Sequence, residues 1–322
     1  MRGNEFMRNP DCLMDAGRKC GLSAGQLETL APLGRRVAGE SFFAEHLRML
    51  KDGTLTEAEA ASRFSETRLQ RQYYLLLILG LYPSMKEVYR ERGWPDGMFR
   101  EISGDVAIWT GHHEENFGYP GLEWRITGWL RGVAMGNVIQ FGRLQCNLEH
   151  SFDGDFSVFR NNRSGELRNS LEYPGAEWTC VLAPGDPTVN LHIPASGALG
   201  IGDCLESLNR MDRFFTERNY RYRAFVCSSW FLDEQLQRIL KPESNIVKFQ
   251  RLGHLFCSGK PSDAVWRVFG EKGLAEGVGA VEPKNDLQRR IANFLNNGGT
   301  LYFGGLYILR DELAALNDRC RS

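Results

Sequence analysis

The residues with the clearest chemical potential lie in one stretch, LHIPASGALGIGDCLES, residues 191–207. Its apolar start predicts a strand, its end predicts an amphipathic helix, and Gly197, Gly200 and Gly202 lie between them. A short loop that leads into a helix directs several backbone N–H groups at one point, where the helix dipole adds partial positive charge. Glycines let a phosphate approach such a backbone closely. The spacing therefore predicts a loop that binds phosphate or diphosphate.

This loop does not match the common nucleotide-binding signatures. No Lys-Ser or Lys-Thr pair follows the glycines, which excludes the Walker type of phosphate loop. The complete GxGxxG spacing is missing, as is the acidic residue expected on the next strand of a dinucleotide-binding fold. A glycine-rich turn without a ligand is the simpler alternative. The regular strand–helix order that follows the loop favours a ligand.

Three side chains close to the loop in the predicted topology could act on a bound ligand. His192 precedes the loop, and the ordinary histidine pKa of about 6.5 suits a general base; a structural hydrogen bond inside the sheet is the alternative. Ser228 ends the next predicted strand, where it could protonate a leaving group. Cys227 could be a nucleophile paired with His192 or His254, or it could be a buried structural thiol.

Other candidate residues lie farther from the loop in sequence. Glu149 closes the predicted strand GRLQCNLEH and could be an acidic base or a solvated carboxylate. Trp230 could line a ligand channel or belong to the core. The run HHEE, residues 112–115, lacks the spacing of a HExxH zinc site, and we interpret it as the polar end of a helix. No metal is expected.

The first 120 residues predict a helical domain. Thr56 and Glu59 form a capping box ahead of an Ala-rich segment. YYLLLILGLY, residues 73–82, is too short to span a bilayer and predicts a buried helix. The turn signal GYPG near residues 118–122 ends this region, so a domain boundary is expected there.

Residues 121–322 predict a mixed sheet with flanking helices. Alternating apolar residues indicate strands at 138–150, 188–194 and 220–230. The segment NIVKFQRLGHLFCSG, residues 245–259, predicts a strand or a pair of strands. The expected fold class is therefore α+β, with a helical N-terminal domain at 1–120 and a sheet domain after it.

Composition excludes several classes of protein. The 322 residues carry a formal net charge of −1, so no global field attracts nucleic acid or anionic lipid. The eight cysteines form no CxxC pair, which indicates reduced thiols in a cytoplasmic protein. Arginines and tyrosines alternate in RNYRYRAF, residues 218–225, as they could in a single-stranded nucleic-acid site, but in a strand they form a solvated face. We expect neither a nucleic-acid nor a membrane partner, and the oligomeric state stays open.

The order of elements after residue 188 resembles the second half of the GNAT superfamily of N-acyltransferases. There a loop reading roughly [Q/R]xxGx[G/A] holds the coenzyme A (CoA) diphosphate, and GALGIG, residues 197–202, keeps Gly200 and Gly202 of that pattern. Gly197 stands where Gln or Arg is usual. The stretches GRLQ, LHIPxSGxL, CxSW and SNIVKF also resemble a bacterial acyltransferase family with a helical N-terminal domain and a GNAT-like C-terminal domain. That resemblance covers nearly the whole chain.

This resemblance implies an acyl-CoA co-substrate, with acetyl as the expected acyl group, and the amine of a small molecule or peptide as acceptor. Leu191 and Ile193 would pair with the pantetheine arm as an added strand would. His192 or Glu149 would act as the base for the amine, and Ser228 would donate a proton to the leaving thiolate. Trp230 would line the channel that holds the acyl group or the pantetheine arm. The backbone amides implied in diphosphate binding are those of Gly197, Ala198, Leu199, Gly200, Ile201 and Gly202, and Ser196 is a further expected contact of the cofactor.

Three functions remain open on the sequence. The first is acyl-CoA-dependent transfer to an amine, which the loop and the element order favour. The second is a non-catalytic module that binds CoA or another anion, which the missing Gln or Arg at Gly197 favours. The third is a cysteine hydrolase that uses Cys227.

Overall fold

The computed structural model describes residues 9–321, without the side chains of Leu148, Glu149 and residues 319–321. The chain divides into two compact units. The first comprises the residues up to Gln140 together with Pro194–Ser196, and the second comprises Phe141–Ile193 and Gly197–Ser322. A helical unit followed by a mixed-sheet unit confirms the predicted α+β fold.

From Pro10 to Ala134 the first unit is built of helices. Helix α5 supplies much of its core, because Tyr73, Leu75, Leu76 and Leu77 are fully buried; this confirms the predicted buried helix. The helices are α1 Pro10–Lys19, α2 Ala24–Val37, α3 Ser41–Asp52, α4 Glu57–Ala61, α5 Thr67–Gly80, α6 Tyr82–Glu91, α7 Asp96–Ser103, α8 Asp105–Phe117 and α9 Trp124–Ala134.

Local capping explains where several of these helices begin. The Thr56 hydroxyl accepts a hydrogen bond from the Glu59 backbone N–H, and the Glu59 carboxylate accepts one from the Thr56 N–H, as the capping box predicts. Because these bonds are local, the sequence suffices to predict them. No helix within residues 9–321 is both long and apolar enough to cross a bilayer.

The two units meet in sequence between Gln140 and Phe141, whereas a boundary near residue 120 was expected. The difference comes from α9, which belongs to the helical unit. Its Ile126 and Leu130 are buried, and the ring of its Trp124 lies 5.1 Å from that of Tyr74 in α5. The helical period predicts that α9 has an apolar face, but not which helices that face meets.

The larger sheet has six strands in the order β1-β2-β6-β7-β9-β8, of which β2 to β8 in that order lie in the second unit, and the smaller sheet has the order β4-β3-β5. The strands are β1 Val138–Phe141, β2 Leu144–Ser151, β3 Ser157–Asn161, β4 Leu167–Ser170, β5 Trp178–Leu182, β6 Pro187–His192, β7 Ala224–Ser229, β8 His254–Pro261 and β9 Tyr302–Leu309. The helices are α10 Ile201–Glu217, α11 Leu236–Ile239, α12 Asn245–Gln250, α13 Ala264–Glu276, α14 Asp286–Asn296 and α15 Leu313–Arg321.

Residues 245–259 differ from their prediction as a strand or strand pair. Asn245–Gln250 form helix α12, and the strand begins only at His254. The Ser244 hydroxyl caps this helix by accepting a hydrogen bond from the Val247 N–H at 3.3 Å. The alternating apolar residues of NIVKF fit a strand equally well, so the cap decides between the two structures.

Strands β6 and β7 form the parallel pair that frames the candidate site. Their register runs from Thr188 opposite Ala224 to Leu191 opposite Cys227 and ends there. Beyond Cys227, strand β7 continues to pair with β9, and Ser229 lies opposite Gly304. The β6–β7 pairing therefore ends at Leu191 and Cys227, while β7 continues beside β9. We call the region beyond this last pair, at the carboxyl ends of β6 and β7, the strand gap.

Candidate active site

The glycine loop follows β6 and leads into helix α10, as predicted. Gly200 is the N-cap residue of this 17-residue helix and has no side chain to satisfy the first-turn amides. Gly197 has φ of +67°, a conformation that glycine adopts without strain. A Cβ at Gly197 or Gly202 would meet no atom within 4 Å, so the space in front of both residues is open. The loop can therefore accept a ligand against its backbone.

The ten residues predicted to contact the cofactor occupy the end of β6, the loop, the start of α10 and the turn directly after β7. Leu191 is buried, and Ile193, Leu199, Gly200, Ile201 and Trp230 are partly buried. The exposed residues of the set are Ser196, Gly197, Ala198 and Gly202.

Two side chains contribute charge beside the loop. Asp203 lies in the first turn of α10, and a Cβ added at Gly200 would lie 2.5 Å from its Oδ2. Arg143, in the turn between β1 and β2, donates a hydrogen bond from Nε to the backbone carbonyl of Ala198 at 3.0 Å. A cavity of about 340 Å³ adjoins these groups; it is lined by Gly142, Arg143, Asp203, Glu206, Ser207 and Arg210.

His192 is the last residue of β6 and lies at the mouth of the strand gap. Its Nε2 is hydrogen-bonded to Oδ1 of Asn147 on β2, and Nδ2 of Asn190 lies 3.4 Å from the same nitrogen. Oδ1 of Asn147 can only accept and Nδ2 of Asn190 can only donate, so the two neighbours favour opposite tautomers. The contact with Asn147 is the closer one and fits the tautomer with the proton on Nε2, which leaves Nδ1 as the basic nitrogen. Burial lowers the pKa of His192 to about 4, with smaller effects of the same sign from His150 and Arg267.

Polar groups share the sheet face on which His192 lies. Asn190 precedes it by two residues on β6, and Asn147 is opposite Asn190 in the register, so their side chains point the same way. His150, opposite Thr188, is hydrogen-bonded to the Thr188 hydroxyl at 2.9 Å on that face. This row of amide, imidazole and hydroxyl groups can orient a reactant at the strand gap.

Ser228 and Cys227 differ sharply in their surroundings. Ser228 is exposed on β7 beyond the end of the β6–β7 pairing, which is compatible with its predicted contact with a leaving group. Cys227 is 4% exposed, and burial raises the pKa of its thiol to about 12. A thiol with so high a pKa is almost entirely protonated at neutral pH and is a poor nucleophile. This observation counts against the cysteine hydrolase.

The remaining candidates are placed as follows. Trp230 packs against the buried cluster that contains Leu236, so it forms part of the core at the end of β7. His254 is hydrogen-bonded to the Glu312 carboxylate at 3.1 Å. Glu149 lies in β2, but its side chain falls outside the described residues.

The HHEE run lies in helix α8, not at a metal site. His113 is buried, and its Nδ1–H donates to the Tyr119 carbonyl at 2.9 Å. The described residues contain no group of three His, Cys, Asp or Glu side chains that could hold a metal ion. His112 donates from Nε2 to the Ala195 carbonyl at 2.9 Å, within the first unit.

Two residues of the site were missed by the sequence reasoning. Arg143 and Asn147 both lie in the segment GRLQCN, which was interpreted as an alternating strand and, through GRLQ, as part of the family resemblance, without a role for either residue. Their roles depend on the antiparallel pairing of β2 with β6, and on the turn at Gly142 that brings Arg143 to Ala198. An arginine next to a turn glycine was the only available signal, and it does not specify a partner.

The fold and the site together define a GNAT-like acyltransferase: a mixed sheet in which the pairing of the parallel strands β6 and β7 ends directly before a glycine loop at a helix N-terminus. Residues 138–307 match the family model of the GNAT-like C-terminal domain. Residues 15–134 match that of the N-acyltransferase N-terminal domain. The chain belongs to the family that combines these two domains and is an N-acyltransferase.

Solved structures share this fold at low sequence identity. One is an acyltransferase in complex with decanoyl-CoA and teicoplanin, with a TM-score of 0.66, 20% identity and coverage of 93% of this chain and 88% of that chain. Another is an acyltransferase in complex with decanoyl-CoA, with a TM-score of 0.65, 19% identity and coverage of 92% and 87%. No curated protein matches the chain.

Proposed function

We propose that this protein transfers an acyl group from acyl-CoA to the amine of a small-molecule or peptide acceptor. The observation that carries the proposal is the end of the β6–β7 pairing at Leu191 and Cys227, directly before the open glycine loop. A strand edge without its neighbour can pair with the amide groups of a pantetheine arm, as in β-strand addition. The loop and the start of α10 would hold the diphosphate.

The chain's own residues then have separable tasks. The Leu191–Ile193 edge would hold the thioester in the strand gap, which orients it for attack. His192 is neutral at pH 7, and its Nδ1 would accept the proton that the amine releases as the carbon–nitrogen bond forms. Ser228 would donate a proton to the departing sulfur as the carbon–sulfur bond breaks, and solvent water would return to Ser228 the proton that His192 takes up. The thioester supplies an already activated acyl group.

The length of the acyl chain is a further part of the proposal. The sequence favours acetyl, whereas structures with the same fold hold decanoyl-CoA, and one is a mutant in complex with octanoyl-CoA. We therefore infer a preference for chains of eight to ten carbons. An acceptor large enough to be peptide-like is supported in the same way by the complex with teicoplanin.

Titration calorimetry with CoA and with acetyl-, octanoyl- and decanoyl-CoA tests the donor. Mass spectrometry of reactions with an amine panel tests the transfer. We expect micromolar to millimolar binding of CoA and amide products with the longer donors. Absence of binding at millimolar CoA would refute the proposal.

A non-catalytic CoA-binding module is the second candidate. It is favoured by the pKa of His192 of about 4, because so weak a base removes a proton from an ammonium group inefficiently. In that case CoA binds in calorimetry, but no amine on the panel is acylated.

A cytoplasmic location is also part of the proposal, supported by the seven described cysteines, which are all free thiols.

A further inference from the structure

The side chain of Arg143 reaches the glycine loop from a different part of the second unit. It belongs to the turn between β1 and β2, and its Nε donates to the Ala198 carbonyl at 3.0 Å. The loop itself has no side chain at Gly197, the position where the related motif carries Gln or Arg. Arg143 is thus a basic side chain bound to the loop but supplied from outside it.

The backbone of this turn is attached to helix α10 independently of the Arg143 side chain. The N–H groups of Arg143 and Leu144 both lie close enough to donate to the Ser207 hydroxyl, at 3.0 and 3.3 Å. That hydroxyl donates in turn to the Asp203 carbonyl at 2.7 Å. Replacing the side chain of Arg143 therefore leaves the turn fixed beside the first two turns of α10.

Holding one carbonyl of a peptide determines where the next amide points. The described chain contains no cis peptide bond, so the Ala198 carbonyl and the Leu199 N–H point in opposite directions. With the carbonyl held toward Arg143, the Leu199 N–H is directed away from it. Leu199 is one of the amides expected to meet the diphosphate, and a preorganised amide loses less entropy when it binds an anion.

We propose that Arg143 is a positioning residue that orients the Ala198–Leu199 peptide of the donor-binding loop through its Nε–H. This inference rests on the proposed function, since it concerns the binding of acyl-CoA. The orientation of the peptide depends on the hydrogen bond from one atom, Nε of Arg143, to the Ala198 carbonyl. The positive charge of the guanidinium is not required for it.

Three substitutions separate the bond from the charge. In R143Q the amide nitrogen stands at the same distance along the side chain as Nε, so a donor is kept and the charge is lost. In R143K the charge is kept, but a methylene replaces Nε. R143M removes both. The matched control is R213M, which removes an exposed arginine from the same helix, α10, that begins at the loop.

Calorimetry with CoA and steady-state kinetics with acyl-CoA give the first readout. We expect R143K and R143M to raise the Kd for CoA and the KM for acyl-CoA roughly tenfold with kcat unchanged, the usual effect of losing one hydrogen bond. R143Q and R213M should stay within about threefold of wild type. Wild-type binding in R143K together with weak binding in R143Q would overturn the inference, as would equal binding in all variants.

Amide hydrogen exchange of residues 197–200 without any ligand gives a second readout. R143K and R143M should exchange faster than wild type, and R143Q should not. If wild-type protein fails to bind CoA, the proposed function is wrong, yet the exchange result still tests the positioning role. Unchanged exchange in all variants would overturn that role even if CoA binds.

Discussion

At the scale of single residues, His192 has a defined tautomer and a strongly lowered pKa. Its Nε2–H faces Asn147, and burial keeps the ring neutral down to a pH of about 4. A neutral imidazole is ready to accept a proton, but a low pKa makes it a weak base. The surroundings of His192 therefore keep its ring unprotonated at neutral pH and at the same time make it a weak base.

We predict that N147D raises the pKa of His192 from about 4 toward the ordinary histidine value. A carboxylate at the position of the amide oxygen stabilises the imidazolium form, because opposite charges at hydrogen-bond distance attract. NMR titration of the imidazole carbon protons measures the shift, with H192Q identifying the resonance. An unchanged titration in N147D would show that Asn147 does not contact His192 in solution.

Asp203 has two opposing effects at the loop. Its carboxylate stabilises the N-terminus of α10, and it would repel a diphosphate bound at Gly200. We therefore predict that D203N lowers the KM for acyl-CoA by roughly threefold to tenfold, while the protein loses about 0.3–1 kcal/mol of stability. Kinetics at low and high salt and thermal unfolding measure both effects. A raised KM would mean that Asp203 contributes to donor binding instead.

At the scale of elements, Gly202 affects both the stability of helix α10 and the access of a ligand to the amides of its first turn. A helix is more stable with alanine than with glycine, and the open space at Gly202 would accept a Cβ. In the proposed complex a Cβ at this position would stand between the first-turn amides and a phosphate, so glycine suits the proposed ligand. Stability and binding should respond to this position in opposite directions.

We predict that G202A raises Tm by about 1–3 °C and weakens CoA binding several-fold. G128A is the matched control: Gly128 lies inside α9, and a Cβ there also meets no atom within 4 Å. G128A should raise Tm without changing CoA affinity. If G202A binds CoA as tightly as G128A does, the start of α10 does not approach the phosphates.

Element prediction from the sequence succeeded where the signal was local. The capping box at Thr56 and the buried helix α5 follow from neighbouring residues. Residues 245–250 were predicted as strand because NIVKF fits both periods, and only its cap at Ser244 decides the helix. The expected boundary near residue 120 placed α9 with the sheet, because the partners of an amphipathic face cannot be read from the face itself.

At the scale of the whole molecule, four histidines have lowered pKa values. Burial is the largest cause for each of them: His46, His113, His150 and His192. A histidine whose pKa is lower in the folded than in the unfolded state leaves the unfolded chain with more bound protons below a pH of about 6.5. All four therefore contribute to loss of stability in the same direction, as pH falls.

We predict that the free energy of unfolding decreases as the pH falls from about 6.5 to 4. The shift of His192 alone, to about 4, contributes a loss of about 2 kcal/mol between pH 7 and pH 5. Urea unfolding at several pH values measures the slope, and H192Q should show a smaller slope than wild type. A pH-independent stability over this range would contradict the burial of these rings.

The sequence by itself determined the α+β class, the glycine loop between strand and helix, and the position of His192 beside it. These features depend on periodicity, turn chemistry and spacing along the chain, which are local properties. Only the tertiary structure decided that Asn147 contacts His192, that Arg143 is bonded to Ala198, and that burial raises the pKa of the Cys227 thiol. Strand register and burial bring residues together that are distant in the chain, and neither leaves a local trace in the sequence.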